Sequence, residues 1–202
     1  MSNSQLGIFN GPRIYPGDWF GSKWPLATGG ELSEIQEVLD SYIWKGGSVG
    51  PKVKKFSELW ADYCQTKYCI PVTNGTIALV LSLQALGVRP GDEVIVPAWS
   101  CAAVVDAVHN VSALPVFADI HPDNLGLDPA SVIKAISPRT RAILAVHFAG
   151  QPADMDALKA ISAQHGIPLL EDAASSHGVT WHGQKAGSIG DSGIFSFGQG
   201  KN

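Results

Sequence analysis

Charge is scarce in this chain. Only 16% of its 202 residues are Asp, Glu, Lys or Arg, and 18 acids against 14 bases leave a formal charge of −4. No basic surplus is available to neutralise a phosphate backbone, which argues against DNA or RNA as a partner. Cysteine is scarce too. Cys64, Cys69 and Cys101 are odd in number and form no C-x-x-C pair. A disulfide framework or a structural zinc site is therefore not expected, no metal is assigned, and a reducing, cytoplasmic compartment is. Long apolar runs are missing. The longest, residues 77–88, is broken by Ser82 and Gln84 and is too short to cross a bilayer. The opening residues, MSNSQLGIFNGPRIYPGDWF, lack the apolar stretch of a signal peptide. A dinucleotide fingerprint is missing as well. Gly187, Gly190 and Gly193 recur every third residue, without the G-x-G-x-x-G spacing or a helix behind them.

Apolar residues are plentiful. They make up 45% of the chain, too many for a disordered segment. Residues 1–30 are rich in Gly and Pro and read as an irregular arm. Ser33-x-x-Gln36 has the pattern of a capping box ahead of a helix carrying Ile35, Val38, Leu39, Tyr42 and Ile43. After a Gly-rich loop at 46–51, Val53, Phe56, Trp60, Tyr63 and Cys64 keep helical spacing. The first 50 residues thus read as an arm with a helix, and residues 51–202 as one α/β domain. Strands are expected at 68–73, 93–96, 115–118, 142–147, 168–171 and 193–197, with helices at 76–86, 101–111, 129–136 and 154–165. Short, uniformly apolar strands alternating with helices indicate a parallel sheet covered on both faces.

In such sheets ligands bind beyond the carboxyl ends of the strands, so the residues following each strand carry the chemistry. Asn74-Gly75-Thr76 opens a helix, where free N–H groups and the dipole favour an anion; a plain cap turn has the same pattern. Asp172 leaves the strand at 168–171, suited to capping a helix or holding a cationic atom. Ser196 lies between Phe195 and Phe197, so it faces away from them if both rings point one way. Lys201 follows in a Gly-rich turn. His147 and His177 also follow strands, and are read as structural for want of a neighbouring carboxylate. An anion cradle, a carboxylate, a hydroxyl and an amine at one sheet edge suit a phosphorylated heteroaromatic carbonyl compound, as pyridoxal 5′-phosphate (PLP) is.

Four ordered blocks carry a family resemblance: NGTIALVLSLQALGVRPGDEVIVPAWS, VHFAGQPADMDALKAI, PLLEDAASSHG and GSIGDSGIFSFGQGKN. From about Phe56 onward the chain resembles the DegT/DnrJ/StrS family of PLP-dependent sugar and aminocyclitol aminotransferases. The resemblance implies the aspartate-aminotransferase-like large domain (PLP fold type I), ending just after the Schiff-base lysine and without the C-terminal small domain of family members. It implies cofactor contacts from Gly75, Thr76, Cys101, Asp172, Ser175, Ser196 and Lys201. Of these, Gly75, Thr76 and Ser196 match phosphate-binding positions. Asp172 matches the carboxylate on the pyridine nitrogen. Lys201 matches the lysine that bonds the cofactor and then moves protons. Two positions depart from the family pattern. Ser175 stands where Gln or His is common, and Cys101 where a ring-stacking aromatic is common.

The implied activity is transfer of an amino group from an amino acid, glutamate by analogy, to a keto-sugar or keto-cyclitol in sugar, antibiotic or cell-surface polysaccharide biosynthesis. A homodimer is implied, with no membrane and no nucleic acid. Two alternatives stay open: a catalytically incomplete fragment that binds PLP or a partner chain, and an enzyme like 3-amino-5-hydroxybenzoate synthase.

Overall fold

The computed structural model describes residues 29–44, 50–198 and 200–201. It divides into two units, Met1–Trp44 and Lys45–Asn202. The described part of the first is one helix, α1 (Glu31–Ser41). Its N-cap is Gly30, with no side-chain cap. The Ser33 hydroxyl instead donates back to the Gly30 carbonyl at 2.8 Å, and Gln36 donates forward to Asp40. The expected capping box is therefore not formed. Of the arm expected at 1–30, residues 1–28 lie outside the described residues, as do loop residues 45–49.

The second unit opens with α2 (Pro51–Cys64), with Pro at its first position, where the missing N–H costs nothing. Helix α3 (Gly75–Ala85) follows. Strands and helices then alternate: β1 (Glu93–Pro97), α4 (Ala102–Asn110), β2 (Leu114–Ala118), α5 (Pro129–Ala135), β3 (Thr140–Val146), α6 (Met155–His165) and β4 (Leu169–Asp172). A two-residue hairpin, β5 (Thr180–Trp181) and β6 (Gln184–Lys185), precedes β7 (Ser192–Ile194). The five long-range strands form a parallel sheet in the order β2-β1-β3-β4-β7.

Both faces of the sheet are covered, which is why β1 and β3 are apolar almost throughout. Val94 and Val96 of β1 pack with Leu79 and Leu83 of α3 and Val104 and Val108 of α4. Ile95 points the other way, to a core with Val132 of α5 and Leu158 of α6. Helix starts are fixed by aspartates: Asp128 accepts from Ala130 and Ser131, and Asp154 from Ala157. No helix among the described residues is long and apolar enough to cross a membrane.

Two expected strands differ. Residues 68–73 join no ladder, and Tyr68 and Ile70 are 72% and 80% exposed. The strand expected at 193–197 ends at Ile194, so Phe195, Ser196 and Phe197 lie beyond the ladder.

Candidate active site

The chain leaves β1 for β2 on one side and returns as β3 on the other, so the strand order reverses between β1 and β3. Such switch points open a crevice at the carboxyl ends of the strands. Here the crevice receives Trp99 after β1 and Phe148 after β3, packed edge to face at 6.0 Å. Asp172 ends β4 and Ser196 follows β7.

The anion cradle is built by α3 and the β7 exit. Asn74 caps α3, its Oδ1 accepting from the Ile77 N–H at 2.9 Å. The N–H groups of Gly75 and Thr76, in the first turn, have no intrahelical acceptor. Ser196 closes on them. A Cβ on Gly75 would stand 3.2 Å from the Ser196 Cβ and 3.5 Å from its Oγ. Glycine here keeps the space between helix and serine open. The Gly198 N–H donates to the same Oγ at 3.4 Å. Thr76 also lines an open cleft of about 390 Å³ with Asp106, His109 and Asn110.

Ser196 faces the cradle because its neighbours are held on the opposite side. The Trp60 ring of α2 meets Phe195 at 5.1 Å and Phe197 at 4.9 Å, both edge on. His177 joins the same cluster, 5.4 Å from Phe195 and 5.1 Å from Phe197. This is the geometry under which alternation turns Ser196 away. Trp60 is half-buried, so Trp60→Ala should cost about 2–3 kcal/mol, below the ~3–5 kcal/mol of a fully buried ring. Urea unfolding checks this, and Trp60→Phe should recover most of the loss.

Asp172 is 7% exposed. Burial pushes its carboxyl above the usual carboxylate range, opposed by the Ala174 N–H and the Lys201 charge. The Ala174 bond, 2.9 Å to Oδ1, leaves Oδ2 for a cationic partner. The Lys201 amine donates to Ser175 Oγ at 3.2 Å, so the short serine expected to fall beside the cofactor touches the amine directly. Gly75 and Ser196 thus form one cluster, and Asp172, Ser175 and Lys201 another. Cys101 is the exposed N-cap of α4, without a side-chain cap bond. Among the described residues no contact brings Cys101 against either cluster.

Sequence reasoning missed the carboxylate partner of His147. It is Glu171, 2.9 Å from Nε2 and fully buried with it. The pair is 24 residues apart in the chain, and no local spacing announces it. Helical spacing marks Trp60 as a helix-face residue and does not announce its contacts with Phe195 and Phe197. His177 was read as structural, and its ring stands in the aromatic cluster. Burial, then the Lys201 charge, pushes the His177 imidazole below its ordinary value. Both its nitrogens are shielded and lack a hydrogen-bond partner among the described residues. No group of three metal-ligating side chains occurs among the described residues.

A model of the DegT/DnrJ/EryC1/StrS aminotransferase family matches residues 27–202. The chain belongs to that family. It is 40% identical over 205 residues to the L-glutamine:2-deoxy-scyllo-inosose aminotransferase of Streptomyces kanamyceticus, an alignment covering 100% of this chain and 48% of that protein. Among solved structures, that of 3-amino-5-hydroxybenzoic acid synthase superposes with a TM-score of 0.82 at 40% identity, over 89% of this chain and 47% of the other. A Bacillus subtilis protein solved with bound pyridoxamine phosphate (PMP) superposes with a TM-score of 0.69 at 34% identity, over 79% and 37%. The chain therefore spans about half the length of the curated relative it matches. Its fold is that of the corresponding part of these family members.

Proposed function

We propose that this chain is the cofactor-binding part of a PLP-dependent aminotransferase that moves an amino group from an amino acid to a keto-cyclitol or keto-sugar. The observations that support this reading are the Lys201 amine held on Ser175, the buried Asp172 carboxylate that feels the Lys201 charge, and Ser196, on the same β7 exit as Lys201, closing the α3 N-terminus. We assign this site to residues 51–202, with 1–50 as an arm, in a cytoplasmic homodimer. Exposed Tyr68 and Ile70 suit an apolar contact between copies.

The residues present fit PLP. Free N–H groups at the start of α3 and the Ser196 hydroxyl suit its phosphate. Buried Asp172, with one oxygen bonded by Ala174 and one open, suits a protonated ring nitrogen. When bound, PLP supplies an electrophilic aldehyde carbon and an electron-accepting ring. The chain's own residues do the rest. The Lys201 amine, when unprotonated, would act as the nucleophile toward that aldehyde and would afterwards be the base that takes the proton from the donor's α-carbon. The Asp172 carboxylate keeps the ring nitrogen cationic. The Ser175 hydroxyl accepts from Lys201 and orients its amine. Gly75, Thr76 and Ser196 hold the phosphate. Cys101, at the exit beyond β1, contributes at most a small contact in place of a stacking ring.

L-glutamine in the relative's name favours glutamine over glutamate as donor for this chain. Titration with PLP, followed by L-glutamine, tests the reading. A visible band that forms with PLP and disappears with the amino acid is expected. Absence of the band in the first step overturns it. The same titration tests a second reading, PLP binding without turnover: a band that survives L-glutamine supports that one. Chemistry like that of 3-amino-5-hydroxybenzoate synthase is favoured by the 0.82 superposition, and acceptor screening separates it from cyclitol transfer.

A further inference from the structure

Behind Asp172 lies a buried polar network that the proposed chemistry does not use. Glu171, on the opposite face of β4, is 0% exposed. Its Oε1 accepts from the N–H groups of Ile189 and Gly190, both at 2.6 Å. Its Oε2 accepts from the Gly187 N–H at 2.8 Å and meets His147 Nε2 at 2.9 Å. His147 Nδ1 accepts from the Ala153 N–H at 3.2 Å. That bond fixes the tautomer: the ring proton sits on Nε2 and is donated to Glu171. The His147 backbone reaches the other side of the site. Its N–H donates to the Asp172 carbonyl at 3.0 Å, and its carbonyl accepts from the Ser176 hydroxyl at 2.9 Å.

We propose that His147 and Glu171 are positioning residues that hold the Asp172 carboxylate in fixed relation to the β7 exit carrying Ser196 and Lys201. Glu171 binds three N–H groups of the turn leading into β7. His147 braces the carboxylate from β3, and its backbone grips Asp172 and Ser176 on either side of Ser175. One buried side-chain pair thereby references both clusters of the site to the same sheet. Packing alone gives no reason for it, because apolar residues of similar volume fill such space at equal or lower cost. A fully satisfied network, in contrast, admits one geometry. The inference rests on the proposed function only for what Asp172 meets.

The test is the carboxyl titration of Asp172 in the chain without cofactor, followed by ¹³C NMR, together with PLP affinity. Lys201 faces Asp172 from the β7 exit and His147 from β3, and Lys201 is kept in every variant. His147→Ala and Glu171→Gln should let water reach Asp172. Its midpoint should fall toward that of an ordinary aspartate, and PLP should bind about tenfold more weakly, the scale on which outer-shell partners act. His147→Gln, whose amide N–H replaces the Nε2 donor, should keep both values near wild type. A purely structural role would lower the melting temperature in every variant and leave the midpoint alone. An unmoved midpoint in folded Glu171→Gln overturns the inference, as does a His147→Gln variant no better than His147→Ala. If His147→Ala does not fold, the other two variants decide. A wild-type chain that binds no PLP overturns the cofactor reading instead, and the carboxyl titration still decides the positioning.

Discussion

Lys201→Ala should remove amino transfer, by about 10³-fold or more, because the proposed mechanism gives this one side chain the parts of both nucleophile and proton carrier. Positioned acid-base groups alone contribute about 10²–10⁴-fold, and the covalent role adds to that. PLP should still associate through the α3 cradle, so affinity falls much less than turnover. Single-turnover assays with an amino acid donor, paired with an equilibrium PLP titration, check both halves. Turnover within tenfold of wild type would remove Lys201 from its assigned role. An arginine at 201 keeps the charge near Ser175 but offers no usable amine, and should fail equally.

Asp172→Asn should separate stability from function. Burial raises the Asp172 carboxyl above its ordinary value. A group whose folded value is raised binds its proton more tightly folded than unfolded. Its favourable contribution is complete below the ordinary carboxylate range and is lost as pH rises through the raised value. Above that raised value the chain carries a buried charge at a cost. Asparagine removes the charge and can still accept from Ala174, which bonds Oδ1. At pH above the raised value the variant should melt higher than wild type, by about 2–4 °C per kcal/mol in a domain of this size. The gain should vanish in acid. PLP binding should weaken at the same time, and turnover should fall by a large factor, because an amide does not hold a ring nitrogen in its cationic form. Calorimetry across pH checks the first part. A variant that gains no stability over wild type at any pH would contradict it.

Much of this arrangement is legible in the residues themselves. Strands β1 and β3 are apolar on both faces because helices cover both, and that pattern alone implies a parallel sheet. Ser196 is placed by parity once Phe195 and Phe197 share a side, and Trp60 shows what they share it with. Asp172 and Lys201 stand out because they follow strands. Other features have no local signal. Glu171 and His147 find one another through β3–β4 pairing across the sheet. Ser33 and Gln36 match a cap by spacing, yet Gly30 starts the helix a full turn earlier. Residues 68–73 are apolar enough to read as a strand, yet Tyr68 and Ile70 are exposed and the segment joins no ladder. The β5–β6 hairpin does carry a local signal. His182-Gly183 forms its two-residue loop with φ of 48° and 85°, the positive values a type I′ turn demands.

The aminotransferase reading turns on one covalent fact, that the cofactor carbonyl meets the amine at Lys201 and at no other lysine. Borohydride reduction of the chain incubated with PLP, followed by intact mass and peptide mapping, tests it directly. A single phosphopyridoxyl adduct on the peptide containing Lys201, abolished in Lys201→Ala, is the expected result. No adduct, or one scattered over the exposed lysines with Lys201 unmodified, would contradict the assignment of this sheet edge as a PLP site.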